Sequence, residues 1–192
     1  MAIKKDLPVV PFSSVKKCEA WFAKNHASPD GIWMRLYKKA SEVETVTYAE
    51  ALDCALCYGW IDGQKKTYDE ASWLQKFTPR RPRSMWFKKN IANVERLMKE
   101  GRMRPSGQKE IDAAKADGRW ARAYDAASTM TVPEDFLAAL QKSKKGLAFY
   151  ETLNKANRYA IAWRLQTAKK PETRQRRLEA ILEMMKRGEA LH

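Results

Sequence analysis

Residues able to hold an anion concentrate between Tyr58 and Asn90. The run YGWIDGQKKTY occupies 58–68 and WLQKFTPRRPRSMWFKKN occupies 73–90, with three tryptophans and two Pro-Arg pairs. The most specific piece is Pro79-Arg80-Arg81-Pro82-Arg83-Ser84. Helical periodicity resumes after Pro79, so this piece is predicted to open a helix with Ser84 as its cap. A helix N-terminus presents unpaired backbone N–H groups and partial positive charge. Arginine guanidinium groups fork onto phosphate or carboxylate oxygens. The candidate anion site is therefore Arg80, Arg83, Ser84 and Lys88, with Lys65 nearby. The structural alternative pairs Arg80 and Arg83 with Asp62 or Asp69 and leaves Ser84 a plain cap.

A second group is aromatic. Tyr58, Trp60, Asp62, Trp73 and Trp86 come together if the hairpin packs on a helix over 84–100. Rings beside arginines can stack a nucleobase or a ring-bearing ligand. The competing assignment is core, since aromatic side chains bury large areas, with Asp62 a turn residue before Gly63.

The chain has 192 residues, a formal net charge of +14 and a sequence pI near 9.7. Such a charge favours acidic partners: nucleic acid, anionic headgroups or phosphorylated small molecules. Residues 76–104 carry ten Lys and Arg against two Glu, and residues 155–187 ten against three. Both read as basic helices, which makes nucleic acid an alternative partner. The other assignment is a solvated charged face.

Catalytic and metal chemistry find no complete motif. Cys54 and Cys57 form a C-x-x-C, but at the end of a helix, where the dipole does not lower a thiol pKa. With Cys18 they read as buried structural cysteines. His26 and His192 are the only histidines, too few for a zinc set. His26 has no partner that sequence can place beside it, and no acid–base carboxylate pair can be named. No catalytic residue, metal ligand or cofactor is expected. No stretch approaches the ~20 apolar residues that span a bilayer. The first twelve residues do not make a signal peptide, so a cytoplasmic location is expected.

The elements that must position these residues read as follows. Residues 1–12 look like an arm. Ser13 or Ser14 caps a helix to about Asn25, with Val15, Cys18, Trp21 and Phe22 on one face. Residues 31–39 alternate, placing Ile32, Met34 and Leu36 on one side and Trp33, Arg35 and Tyr37 on the other, the period of a strand. Thr47 and Glu50 fit a capping box for a helix ending at Gly59, with Tyr48, Leu52, Ala55 and Leu56 inward. Strands follow over 60–67 and 72–78. Helices are expected after Pro79 to Gly101, over 107–117, and then over 133–142, 145–153, 155–169 and 172–187. The stretch 125–132 is a candidate linker.

Several of these runs resemble one family. ALCYGWIDGQKK, FTPRRPRSMWFKKNIANVERLMKEGRM and DGRW, then SKKGLAFYETLNKANRYAIAWRLQTAKKPETRQRRLEAI, are similar to the bacterial YdeI/OmpD-associated family. The tail includes that family's pattern at Ala168, Lys169, Glu172, Thr173, Arg174 and Arg177. The likeness runs from about Phe12 to Gly188. It implies a role bearing on resistance to bacteriocins or envelope stress, and brings no catalytic residues or cofactor.

The expected fold is α+β: a small antiparallel sheet with flanking helices over 1–124, then an all-helical C-terminal module over 125–192. The expected function is a non-enzymatic protein binding an anionic ligand or protein partner. The alternatives are nucleic-acid binding through basic helices, and an enzyme acting on a phosphorylated or aromatic small molecule with Asp62 as acid–base group. Sequence leaves the oligomeric state and the ligand's identity open.

Overall fold

In the structure, a computed structural model, residues 6–125 and 130–192 are described. Residues 1–5 of the expected arm and 126–129 of the expected linker lie outside them. The fold is α+β, with a four-stranded sheet first and helices only at the C-terminal end. The described residues divide into two compact units. One comprises residues up to Ser84 and Asn90–Trp120; the other comprises Met85–Lys89 and Ala121–His192.

The first unit is built on the sheet. Strands β1 (Val9–Pro11), β2 (Ile32–Tyr37), β3 (Trp60–Thr67) and β4 (Ser72–Pro79) stand in the order β1-β2-β4-β3. β2–β4 and β4–β3 are antiparallel, whereas β1 lies parallel to β2. The sheet is thus mixed, not purely antiparallel, and part of the expected arm is a strand. The three residues Val9–Pro11 show no alternation to read, and Pro11 is tolerated there because β1 is an edge strand.

The alternation of β2 survives intact. Ile32, Met34 and Leu36 are buried, while Trp33, Arg35 and Tyr37 are only partly covered. Helix α1 (Val15–Asn25) buries Cys18 and Phe22, and α2 (Tyr48–Cys57) buries Leu52, Ala55 and Leu56. Ser14 caps α1, and Thr47 with Glu50 forms the capping box of α2. Tyr48 does not turn inward as expected. Its hydroxyl donates to Asp62 Oδ2 at 2.7 Å on β3, and the ring is 36% exposed. It is the first residue of α2, where the outgoing direction is set by the cap.

Helices α3 (Lys88–Lys99) and α4 (Pro105–Ala116) complete the unit's elements. Gly107 lets α4 close on α2: a Cβ there would stand 2.3 Å from the Cys57 carbonyl oxygen. The helix expected at Ser84 starts four residues later. Residues 84–87 are extended because Tyr124 binds them: its N–H donates to the Trp86 carbonyl at 3.1 Å, and Lys88 N–H donates to the Tyr124 carbonyl at 3.0 Å. A bridge to a residue so distant in sequence leaves no local trace.

The second unit is helical. α5 (Glu134–Gln141), α6 (Lys144–Thr152), α7 (Lys155–Gln166) and α8 (Pro171–Arg187) bury Phe136, Leu140, Ile161, Leu165, Ile181 and Met185 at 3% exposure or less. Buried Asn157 fastens the chain end, its Oδ1 accepting from the N–H groups of Leu191 and His192 at 3.1 Å each.

Candidate functional site

The sheet has one face on the helices and one face turned away from the aliphatic core. Directly opposed residues of an antiparallel pair share a face. Trp33 opposes Lys76, Arg35 opposes Leu74, Tyr37 opposes Ser72, and Lys66 opposes Leu74. The outer face therefore carries Trp33, Arg35, Tyr37, Lys66 and Lys76. Their contacts agree: Lys66 Nζ lies 4.3 Å and Lys76 Nζ 6.0 Å from the Trp33 ring centre.

At one end of this face Arg35 is fixed. Its guanidinium donates to Ser72 Oγ at 3.0 Å and Asp69 Oδ2 at 2.6 Å, and its Cζ stands 4.5 Å from the Tyr37 ring and 4.9 Å from the Tyr68 ring. The Ser72 hydroxyl, donating at 2.7 Å, together with Arg35 and the Ala71 N–H, holds the Asp69 carboxyl below its ordinary pKa.

At the other end the face runs into the Pro-Arg segment. Two concavities of about 340 Å³ each meet there, and both are lined by Lys76, Thr78, Pro79 and Arg81. The first adds Gly63, Gln64 and Ser84; the second adds Asp30, Gly31 and Arg80. Gly31 is a close approach: a Cβ would meet the Phe77 carbonyl oxygen at 2.6 Å. The backbone of the first concavity is shaped by an irregularity in β3 between Asp62 and Lys65. The Gln75 amide caps it by donating to the Gly63 carbonyl at 2.9 Å.

Arg81-Pro82-Arg83-Ser84 is a tight turn. Ser84 N–H donates to the Arg81 carbonyl at 3.0 Å, and Arg83 has φ 69°. Proline second and positive φ third are the signature of a type II turn, a place for glycine. Arg119 braces the turn from behind. It is 5% exposed, donates from Nη1 to the Ser84 carbonyl at 3.0 Å, and from Nε to both Asp117 oxygens.

The five expected anion ligands have different surroundings. Arg80 is 7% exposed, a buried residue whose N–H donates to the Gly59 carbonyl. Arg83 is exposed on the turn and Ser84 half-buried beside it. Ser84 caps no helix. Lys88 pairs with Asp125 at 2.9 Å. Lys65 is exposed and sits 4.9 Å from the Trp73 ring, across β3 from Lys66. The proposed pairing of arginines with Asp62 or Asp69 does not form either: Asp62 accepts from Tyr48, and Asp69 from Arg35 and Ser72.

Most of the expected aromatic pocket is core. Trp60 and Trp86 are 1% and 2% exposed, and Tyr58 is 9% exposed. Trp60 donates its Nε1–H to the His26 carbonyl and packs edge-on against Trp21 and Phe22. Trp73 lines an open space, a cleft of about 680 Å³ shared with Tyr37, Val43 and Tyr48, whose rim carries lysines and glutamates alike. Some cations of the basic helices are paired. Arg96 binds Asp53 and Glu100, Arg174 binds Asp135, and Arg187 binds Glu189.

Trp33, Lys66, Lys76, Arg81 and Arg119 escaped sequence reasoning as site residues. The alternation of 31–39 does put Trp33 outward. Its neighbours Lys66 and Lys76 depend on the register of three strands, which no local pattern specifies.

Cys18, Cys54 and Cys57 are free and buried. Burial pushes the Cys57 thiol up to about 11, Arg102 opposing. Among the described residues no group of three or more His, Cys, Asp or Glu could hold a metal ion. No described helix is long and apolar enough to cross a membrane.

Residues 10–110 match the family model described as Domain of unknown function (DUF8412). Residues 129–188 match the one described as Bacteriocin-protection, YdeI or OmpD-Associated. Neither a curated protein nor a solved structure matches the chain.

Proposed function

We propose, for a chain that belongs to the DUF8412 family over residues 10–110 and to the bacteriocin-protection, YdeI or OmpD-associated family over residues 129–188, a role as a binding protein for a phosphate-bearing anion. It catalyses no reaction of its own in this reading, acts in the cytoplasm, and bears on bacteriocin or envelope-stress resistance through what it binds. The observation that carries the reading is the pair of concavities meeting at Lys76, Thr78 and Arg81. Neither Lys76, Arg81 nor Arg83 has an ion-pair partner among the described residues. An ammonium, a guanidinium and a hydroxyl around one hollow match the charge and acceptor oxygens of a phosphate. Arg80 is buried at the second concavity, and Arg83 and Ser84 belong to the turn.

The net charge of +14 argues for the same partner class. It also argues against direct capture of cationic peptides, which the protein would repel. Protection would then act through an anionic partner of the cell and not through the toxin itself.

A thermal-shift series at matched ionic strength tests the reading, with inorganic phosphate, pyrophosphate, sugar phosphates and nucleotides. A ligand at a hundredfold excess over Kd stabilises by about 2.7 kcal/mol, several degrees for a unit of this size. The expected result is a shift with at least one phosphate compound that Lys76→Ala/Arg81→Ala removes. No shift with any of them, or a shift that the double substitution leaves in place, contradicts the reading.

A further inference from the structure

The anion site lies at the edge of a larger surface. Trp33 stands on the outer face of the central strand pair, with one lysine ammonium 4.3 Å and another 6.0 Å from its ring. Tyr37 follows on the same face of β2, about 13 Å further along at ~3.3 Å per residue. Arg35 lies between them, already ordered against Tyr37, Tyr68, Ser72 and Asp69. Lys76 belongs both to the Trp33 contact and to the concavities at Arg81. The rings and the unpaired cations thus form one continuous track from Tyr37 to Arg81.

We infer that this outer sheet face binds a single-stranded nucleic acid, with a base stacked on Trp33 and its phosphates on Lys66, Lys76 and Arg81. The inference rests on the anion reading of Lys76 and Arg81 and names the class of that anion. Stacking on aromatic side chains beside a positive track is how unpaired strands are held, because every base offers a π face. A duplex keeps its bases stacked inside and gains nothing from Trp33. A free phosphate needs only the hollow at Arg81. A lipid surface calls for apolar residues that project, whereas Leu74, central on this face, is 1% exposed and the half-buried Trp33 has lysine ammonium groups for neighbours. Complementary charge favours the strand: the acids along the track are Asp69, which Arg35 occupies, and Asp30 at the second concavity, which has an interaction of its own.

Anisotropy titrations of fluorescently labelled ten-nucleotide oligo-U and oligo-dT test the inference, with a duplex of equal length, pyrophosphate, and vesicles of anionic phospholipid as parallel arms. The expected result is binding of the single strands in preference to the duplex. Trp33→Leu should weaken it about tenfold or more, and Trp33→Phe should restore most of it, which separates loss of stacking from loss of fold. Lys66→Ala/Lys76→Ala should lower the slope of log K against log salt by about 1.4, at ~0.7 per phosphate contact. The inference is overturned if Trp33→Leu binds as tightly as the unaltered protein, if duplex binds equally well, or if only vesicles bind. Pyrophosphate binding without oligonucleotide binding overturns it too and leaves the anion site standing. Loss of every arm removes both.

Discussion

Arg83 holds φ at 69°, a conformation that costs a side-chain-bearing residue on the order of 1 kcal/mol. Arg83→Gly is expected to raise stability by about 1 kcal/mol in chemical denaturation and to weaken pyrophosphate binding; a fall in stability contradicts the turn geometry. Arg80 and Arg81 are adjacent in sequence and opposite in role. Arg80 is buried and Arg81 exposed at the hollow. Arg80→Ala should lower the denaturation midpoint, whereas Arg81→Ala should leave it in place and reduce anion affinity. The sequence points to Arg80 and Arg83, whereas the structure buries Arg80 and exposes Arg81. Which of two neighbours is buried depends on where β4 ends and on the Gly59 carbonyl that receives the Arg80 N–H. The tryptophans show the same limit. Their type marks them equally for core or for stacking, and only their position in the sheet separates Trp60 from Trp33.

Single elements were more legible, because caps and periods are local chemistry. The capping box of α2, the alternation of β2 and the four C-terminal helices follow from residues that touch one another within a few positions. β1 and the start of α3 did not, since both are set by pairing across the chain. Two predictions belong at this scale. Thr47→Ala removes the acceptor for the Glu50 N–H and should cost about 1 kcal/mol by denaturation; an unchanged midpoint contradicts the cap. Asp69 ties β4 to β2 through Arg35 and Ser72, and its carboxyl titrates below its ordinary 3.8. A depressed pKa stabilises the fold above the unfolded value and loses that contribution as pH falls through the folded one. Stability should therefore decline below about pH 4, and Asp69→Asn should flatten this acid limb. An acid limb identical in the variant contradicts the assignment.

For the molecule as a whole, charge is the dominant fact, and structure redistributes it. Three helix arginines are answered by carboxylates: Arg96 by Asp53, Arg174 by Asp135, Arg187 by Glu189. The cations without such partners include Lys66, Lys76, Arg81 and Arg83, on the sheet and its turn. Net charge predicts an acidic partner without saying which elements meet it, because pairing is a tertiary property. The buried thiols add a basic limit. Cys57 is held protonated up to about pH 11 against an ordinary 9.0, so its contribution is complete below pH 9 and lost as pH rises through 11. Alkylation of the native protein at pH 8 should accordingly be far slower than in denaturant; equal rates contradict that burial.

The central claim is that the hollow at Lys76, Thr78 and Arg81 receives a phosphate-bearing anion. Backbone amide shifts in a pyrophosphate titration, with sodium chloride at matched ionic strength as control, test it most directly. The account predicts saturable shifts confined to residues 61–64 and 76–84, absent in Lys76→Ala/Arg81→Ala. Shifts centred on α7 and α8, or none beyond the salt control, would contradict it.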